Sequence, residues 1–232
     1  MIRPLLLLVL TALGAGSAVA QTPVDLELVL ALDGSSSIDD GEFALETQGY
    51  AAAFRDRRIA EALRSGPLGK VAVAVVVWAD ATVPKAQSDW SILAGPDDLE
   101  RFAGFMEHLP RAVEGGTGIG SGIAVAIRMF DRNGITGMRQ TVDVSGDGRE
   151  TPARDYVVLM PAVRAMANAR GVQINGMAIT NEDAGLADWY RNNVIAGPGA
   201  FVMSVANFQD FAEAMTRKLV KEIRYEPRLT AR

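Results

Sequence analysis

Hydrophobic residues along the chain alternate between two patterns, one typical of buried strands and one typical of amphipathic helices. Near-continuous apolar, β-branched runs occupy 26–32 and 71–79, as expected of strands buried on both faces of a parallel sheet. Shorter runs of this kind predict further strands over 139–145, 172–179 and 199–205. The segment 82–92 alternates and contains Pro84, which favours an edge strand hairpinned to the second strand. The pattern therefore predicts six strands.

Between these strands, apolar residues recur at three- and four-residue steps, the spacing of a helix face. Helices are predicted over 39–63 and 152–170, the second kinked or restarted at Pro161. Another begins near Asp97, and a last one follows Asn207, which is placed to cap it. The alternation predicts an α/β fold: a doubly wound, mostly parallel six-stranded sheet with one antiparallel edge strand and helices on both faces.

The first twenty residues have the pattern of a secretory signal peptide. Arg3 gives a positive start, 5–13 form an apolar stretch, and 18–20 read Ala-Val-Ala, a small-residue cleavage pattern. The apolar stretch is shorter than the roughly 18 residues of a membrane span, and no later segment is long enough. The sequence therefore predicts a signal peptide over 1–20 and one domain over 21–232. The mature chain is expected in the periplasm or outside the cell.

The amino-acid composition excludes cysteine-based sites and disfavours binding to nucleic acid. The chain contains no cysteine, which excludes disulfides, thiolate catalysis, cysteine-ligated zinc and a lipid anchor on cysteine. Its formal net charge of −5 becomes −6 once the signal peptide, whose single charge is Arg3, is removed. An acidic chain without a long run of Lys or Arg is not expected to bind nucleic acid.

Polar side chains collect in three loops of the predicted fold. Asp33, Ser35 and Ser37 follow the first strand, Asp147 follows a later strand, and Thr117 lies in a glycine-rich loop that leads into a helix. Ligands of doubly wound sheets bind beyond the carboxyl ends of the strands, so these loops are expected to converge. All five side chains offer oxygen, the ligand atom that Mg²⁺, Mn²⁺ and Ca²⁺ prefer.

These loops resemble the metal-ion-dependent adhesion site of von Willebrand factor type A domains. "DGSSS" from 33 matches the Asp-x-Ser-x-Ser signature, "GGTGIGSGI" from 115 the threonine loop, and "VSGDG" from 144 the aspartate turn. The chain is also similar over nearly its whole mature length to a bacterial group of exported A-domain-like proteins without an assigned function. The shared segments are "GYAAAFRD" from 49, "VDVSGDG" from 142, "INGMAI" from 174, "YRNNVIAGPGAF" from 190 and "DFAEAMTRKLV" from 210. Arg149-Glu150 departs from that group, which carries smaller or amide residues there.

The resemblance implies that Ser35, Ser37 and sometimes Thr117 touch the metal directly, while Asp33 and Asp147 act largely through water. Neutral hydroxyls leave a cation poorly neutralised, so it seeks an anionic ligand such as an Asp or Glu of a partner protein. We therefore expect a non-catalytic, exported binding module that uses Mg²⁺, with Mn²⁺ or Ca²⁺ as alternatives, to engage a protein or another acidic ligand. The mature chain is expected to contain no membrane span.

Each site residue also has a simpler interpretation. Ser37 could cap the helix that follows, with Asp40 three positions later. Asp147 could lie in an ordinary turn, and Thr117 in a plain loop. Their joint occurrence favours the metal site over these readings. Asp143, inside its strand, is expected to bond a neighbouring loop rather than to bind metal.

Enzyme classes are less compatible with the motifs. The segment 117–124 resembles a dinucleotide-binding loop but follows a helix in mid-chain instead of the first strand. A serine hydrolase needs a base beside its nucleophile, and the single histidine, His108, is expected to be partly buried or to cap a helix. A metal-dependent phosphohydrolase remains an alternative, although Arg149 is the only cation near the motifs. A purely structural metal site is a further alternative.

Overall fold

The computed structural model describes residues 21–151 and 157–226. The predicted signal peptide lies outside the described residues, as do 152–156, the beginning of the helix predicted over 152–170. The strands of the described part are β1 (Thr22–Val24), β2 (Leu26–Asp33), β3 (Val71–Trp78), β4 (Ala86–Gln87), β5 (Ser91–Leu93), β6 (Ile135–Gly137), β7 (Gln140–Gly146), β8 (Gln173–Ile179) and β9 (Val202–Val205). Its α-helices are α1 (Asp40–Arg55), α2 (Arg57–Leu63), α3 (Pro96–Glu107), α4 (Ile119–Met129), α5 (Met160–Arg170), α6 (Leu186–Asn193) and α7 (Phe211–Ile223).

The central sheet has the strand order β4-β3-β2-β7-β8-β9, with β5 also paired to β3. The five strands from β3 to β9 in that order are mutually parallel, while β4 and β5 run antiparallel to β3. This confirms the predicted doubly wound, mostly parallel sheet. Because β2 lies directly beside β7, the loops that follow these two strands meet at the middle of one sheet edge.

The predicted edge strand is present but is divided into two short segments, so the sheet has seven strands among the described residues instead of six. Val75 lies on β3 between the two segments, where its backbone N–H donates to the Ser88 hydroxyl at 2.8 Å. A side-chain oxygen thus takes the place of a backbone acceptor, and the strand ladder is interrupted there. A separate pair of parallel strands, β1 and β6, was not predicted, because segments of three residues carry too little periodicity.

Both faces of the sheet are covered by helices, as the apolar strands predicted. Leu28 and Leu30 of β2 belong to a core cluster under α1, α2, α3 and α7. Val29 and Ala31 of the same strand belong to a second cluster under α4, α5 and α6. Successive side chains of a strand point to opposite faces, so one continuous apolar run supplies both cores.

Two helices differ from their predictions. The helix expected over 39–63 breaks at Asp56, which has extended backbone angles and accepts a hydrogen bond from the Arg58 N–H at 2.7 Å, starting a new helix. The helix expected over 152–170 differs in that 157–159 are not helical. The predicted restart at Pro161 is confirmed, because α5 begins at Met160 with Pro161 in its first turn, where a missing N–H costs nothing.

The remaining helix signals are confirmed. The Asn207 side chain accepts from the Asp210 N–H at 3.0 Å, and a short 3₁₀ turn then leads into α7. His108 is the C-terminal cap residue of α3, which agrees with the predicted capping role. Within 21–151 and 157–226, no helix combines the length and the apolar character needed to cross a membrane.

Candidate metal centre

The structure brings the three polar loops together at the carboxyl end of the sheet. Asp33 is the last residue of β2, Asp147 follows the last residue of β7, and Thr117 lies two residues before α4. Parallel pairing of β2 with β7 fixes the first two carboxylates on neighbouring strands. The expected convergence is therefore observed.

Hydrogen bonds connect four of the five predicted residues. The Ser35 backbone N–H donates to Asp33 Oδ1 at 2.8 Å, which folds the loop back on the strand end. The hydroxyl oxygens of Ser35 and Ser37 lie 3.1 Å apart. The Ser37 hydroxyl then donates to Asp147 Oδ1 at 2.7 Å, across a sequence separation of 110 residues. The spacing Asp-x-Ser-x-Ser thus places alternate side chains on one side of the turn.

Thr117 faces the same point from the third loop. A Cβ atom built on Gly148 would lie 3.5 Å from Thr117 Oγ1 and 4.0 Å from Ser37 Oγ. Both hydroxyls therefore border the space beside the aspartate turn. The Thr117 backbone is held by an N–H bond to Thr151 Oγ1 at 2.8 Å, which fixes the threonine loop against the loop after β7.

Two glycines make this close approach of loops possible. A Cβ on Gly34 would lie 2.9 Å from both Val77 Cγ1 and Val113 Cγ2, closer than side chains pack. Gly115 has a φ of 121°, a region that favours glycine. Gly115 also pairs with Ser36: its carbonyl accepts from the Ser36 N–H at 2.8 Å, and its own N–H donates to Ser36 Oγ at 3.1 Å.

The simpler reading of Ser37 as a helix cap is wrong. Asp39 is the N-cap of α1: its carboxylate accepts from the Glu42 N–H at 2.8 Å, and the Glu42 carboxylate accepts from the Asp39 N–H at 3.1 Å. This reciprocal pair is a complete capping box. The Ser37 hydroxyl is therefore not needed by the helix and is directed to Asp147 instead.

The Asp33 and Asp147 carboxylates are buried, and a buried negative charge destabilises the folded state unless a positive charge lies beside it. Asp33 is fully buried and Asp147 is 3% exposed. Desolvation raises the pKa of Asp33 to about 7 and also raises that of Asp147, with a smaller contribution from the nearby charges of Glu182 and Glu42. Oδ2 of each aspartate has no hydrogen-bond partner among the described residues. A bound cation, directly or through its waters, would satisfy both oxygens.

The donor set fits a hard divalent cation. Adjacent ligands of an octahedral ion with bonds of about 2.1 Å lie about 3.0 Å apart, close to the 3.1 Å between the two serine hydroxyls. In 21–151 and 157–226, no group of three or more His, Cys, Asp or Glu side chains is arranged to hold a metal. A cation here would depend on hydroxyl oxygens, as the motif implies.

Arg111 supports the site and was missed by sequence reasoning. Its guanidinium donates to the carbonyl oxygens of Gly34 at 3.3 Å and Ser35 at 3.1 Å, and it pairs with Asp40 at 2.9 Å. This side chain therefore fixes the backbone that carries the serines. No local pattern marks Arg111, because its partners lie more than 70 residues away.

Arg149 and Glu150 are both bonded to neighbouring segments of the chain. Arg149 Nε pairs with Asp183 at 2.6 Å, across the rim of the site. The Glu150 carboxylate accepts from the Gly120 N–H at 2.8 Å, so it stabilises the N-terminus of α4. Burial raises the pKa of Glu150 to about 7. Neither side chain is directed at the serine hydroxyls.

A layer of buried polar residues lies under the site on the α1 and α7 face. The Ser145 hydroxyl donates to Glu46, and Tyr50 donates to Ser145 at 3.3 Å. Desolvation raises the pKa of Glu46 to about 8. The prediction that Asp143 bonds a neighbouring loop is wrong, because Asp143 instead forms a buried ion pair with Lys218 of α7. A helix supplies this partner, and helix–sheet pairing across 75 residues leaves no local signal.

Residues 23–227 match a family described as "Protein of unknown function (DUF1194)". The match covers most of the chain, and the protein belongs to that family. No curated protein shows a significant match to the sequence.

Solved structures similar to this chain share its fold. Proximal thread matrix protein 1 (PTMP1) from the mussel byssus has a TM-score of 0.55 and 16% identity, covering 88% of this chain and 47% of that chain. The pilus adhesin SpaC from Lactobacillus rhamnosus GG has a TM-score of 0.57 and 12% identity, covering 87% and 30%. A PTMP1 structure with a zinc-occupied MIDAS motif has a TM-score of 0.55 and 18% identity, covering 88% and 46%. The chain thus spans less than half of each, and these similarities show a von Willebrand factor type A-like fold.

Proposed function

We propose that this protein is a metal-ion-dependent binding module in which Asp33, Ser35, Ser37, Thr117 and Asp147 hold one divalent cation. The observation that carries the proposal is the chain of contacts from Asp33 through the paired serine hydroxyls to Asp147. It joins two buried carboxylates, each with one oxygen that lacks a protein partner among the described residues. The zinc-occupied MIDAS motif of the similar PTMP1 structure also supports a divalent cation at this place. We propose Mg²⁺ as the physiological ion.

The ligand shell determines what the site binds. Ser35, Ser37 and Thr117 offer neutral oxygens, while Asp33 and Asp147 orient the hydroxyls and water, the role of outer-shell groups. A bound cation supplies a partly neutralised positive charge at the protein surface, beside the exposed Ser37. A carboxylate from a partner protein suits that charge. The proposed partner therefore presents an Asp or Glu side chain.

Binding is favoured over phosphoryl transfer because the nearby cations are already engaged. Arg149 pairs with Asp183 at 2.6 Å, and Arg111 is held by Asp40 and two backbone carbonyls. A transferring phosphoryl group needs positive groups that stabilise its developing charge. No such group is directed at this site from the described residues. The module is therefore proposed to be non-catalytic.

The proposed place of action is outside the cytoplasm. The pattern over 1–20 is that of a secretory signal peptide, so the binding domain is proposed to comprise residues 21–232 and to act in the periplasm or outside the cell. A carboxylate-binding surface is useful there for contact with envelope or extracellular proteins.

Metal-dependent capture from a cell-envelope extract tests the function. The purified mature chain and its Ser35→Ala/Ser37→Ala variant serve as matched baits, each with Mg²⁺ and with EDTA. We expect a protein that is retained by the unaltered chain in Mg²⁺, released by EDTA and not retained by the variant. Equal retention by both baits would contradict the proposal. EDTA-sensitive turnover of phosphoester substrates would instead favour a phosphohydrolase.

A further inference from the structure

Tyr190 of α6 is buried beneath the proposed metal site without contacting any of the serine hydroxyls. Its side chain is 0% exposed and lies on the sheet face covered by α4, α5 and α6. Its phenolic oxygen has no hydrogen-bond partner among the described residues. Burial of a hydroxyl without a hydrogen-bond partner destabilises the folded state, so the position of this oxygen needs an explanation.

Two glycines on neighbouring strands leave room for the Tyr190 ring. A Cβ on Gly176 of β8 would lie 2.7 Å from Tyr190 Cδ1, and a Cβ on Gly146 of β7 would lie 2.8 Å from the phenolic oxygen. Any side chain at either place would displace the ring from the sheet. The absence of side chains at both positions therefore lets the phenol reach the carboxyl end of the sheet.

The phenolic oxygen of Tyr190 and the Asp33 carboxylate lie on the same side of Gly146. Asp33 Oδ2 also lies 2.8 Å from the Cβ position built on Gly146, so the two oxygens are separated by no more than twice that distance. Asp33 Oδ2 is likewise buried and lacks a partner among the described residues. One atom is a donor and the other an acceptor, and a single water can bridge such a gap.

We propose that Tyr190 positions Asp33 for the cation through one water, which accepts a hydrogen bond from the phenol and donates one to Asp33 Oδ2. This inference rests on the proposed metal site. Oδ1 is already fixed by the Ser35 N–H at 2.8 Å, so the phenol fixes the second oxygen and holds the carboxylate plane in one orientation. Tyr190 is a positioning residue and not a metal ligand. Loss of an outer-shell partner typically weakens metal binding about 10- to 100-fold.

The Tyr190→Phe variant tests this role, because it keeps the ring and removes only the donor. Mg²⁺ is titrated calorimetrically into the mature chain and its variants. We expect the Mg²⁺ Kd of Tyr190→Phe to rise about 10- to 100-fold, while the variant still unfolds in one cooperative transition in EDTA. The matched control is Tyr50→Phe, in a second fully buried tyrosine whose hydroxyl contacts Ser145 instead of Asp33. Its Mg²⁺ Kd should change less than threefold.

The outcomes separate the two proposals. If the unaltered chain binds no Mg²⁺, the metal site itself is wrong and this role falls with it. If the chain binds Mg²⁺ and Tyr190→Phe binds it equally well, only the role of Tyr190 is overturned. If Tyr190→Phe folds poorly, the role of Tyr190 is tested instead on the unaltered chain, by its near-ultraviolet difference spectrum with and without Mg²⁺. A tyrosine band that Mg²⁺ perturbs supports the role of Tyr190, and an unperturbed spectrum overturns it.

Discussion

The Ser37 hydroxyl donates a 2.7 Å hydrogen bond to the Asp147 carboxylate. Ser37 is exposed while Asp147 is almost fully buried, so this bond connects the surface of the site to its interior. It also joins the loop after β2 to the loop after β7. Ser37 is therefore tied to the proposed site, whereas Asp39, two residues later, is tied to helix α1.

Replacement of Ser37 by alanine should remove metal binding while leaving the fold intact. Ser37 offers one of the two hydroxyls that lie 3.1 Å apart, so its loss removes one of the proposed direct ligands. Its side chain is exposed, but its loss takes the 2.7 Å donor from the buried Asp147 carboxylate, so the free energy of unfolding without metal should fall by about 1–3 kcal/mol. Mg²⁺ titration and urea denaturation in EDTA measure the two effects. A stable variant with an unaltered Mg²⁺ Kd would exclude Ser37 as a ligand.

Replacement of Asp39 by alanine should lower stability and leave metal binding intact. Asp39 caps α1 through the Glu42 N–H, and loss of an N-cap costs about 0.5–2 kcal/mol. Because Asp39 is not directed at the serine hydroxyls, the Mg²⁺ Kd should stay within about threefold. The same two measurements apply. If the free energy of Mg²⁺ binding falls by more than the free energy of unfolding does, the helix cap and the metal site are not independent.

The buried cluster under α7 should be essential for stability. Lys218 is 0% exposed and pairs with Asp143 and with Glu222 at 2.7 Å. Burial alone would lower the pKa of Lys218, but the two acids outweigh it and raise that pKa, so the lysine stays charged. Lys218→Met leaves two buried acids without a counter-charge and should cost about 3–5 kcal/mol. Urea denaturation measures the loss, with the exposed neighbour Arg217→Met as the control. Equal effects of both changes would contradict this assignment.

The metal-free protein should lose stability as pH rises from about 5 to about 8. Desolvation raises the pKa of Glu46 to about 8 in the folded state, whereas the unfolded chain releases this proton near 4.5. In that window the folded state holds one more proton, so stability falls with pH by up to about 1.4 kcal/mol per unit for one group. Urea denaturation in EDTA at several pH values should show a flatter slope for Glu46→Gln. Stability that rises across this window, or an equal slope in the variant, would refute the prediction.

The fold was largely predictable because the signals that define it are local. Continuous apolar runs such as 71–79 predicted β3, and motif spacing predicted that Asp33, Ser35 and Ser37 share one turn. The break at Asp56 was missed because one side-chain hydrogen bond to the Arg58 N–H decides it. Such a bond does not change the apolar periodicity.

Contacts distant in sequence account for the rest. Arg111 reaches the backbone of Ser35 from 76 residues away, and Lys218 meets Asp143 from the last helix. Each of these side chains lies in a segment whose own pattern predicts an ordinary loop or helix. The convergence of the polar loops could therefore be predicted, but the residues that hold those loops in place could not.

Calorimetric titration of the purified mature chain with Mg²⁺ tests the central claim most directly. The Asp33→Ala/Ser35→Ala variant is the matched reference, because it removes one carboxylate and one hydroxyl from the same turn. We predict one Mg²⁺ bound per chain for the unaltered protein and no measurable binding for the variant. Absence of Mg²⁺ binding by the unaltered protein, or equal binding by the variant, would contradict the account.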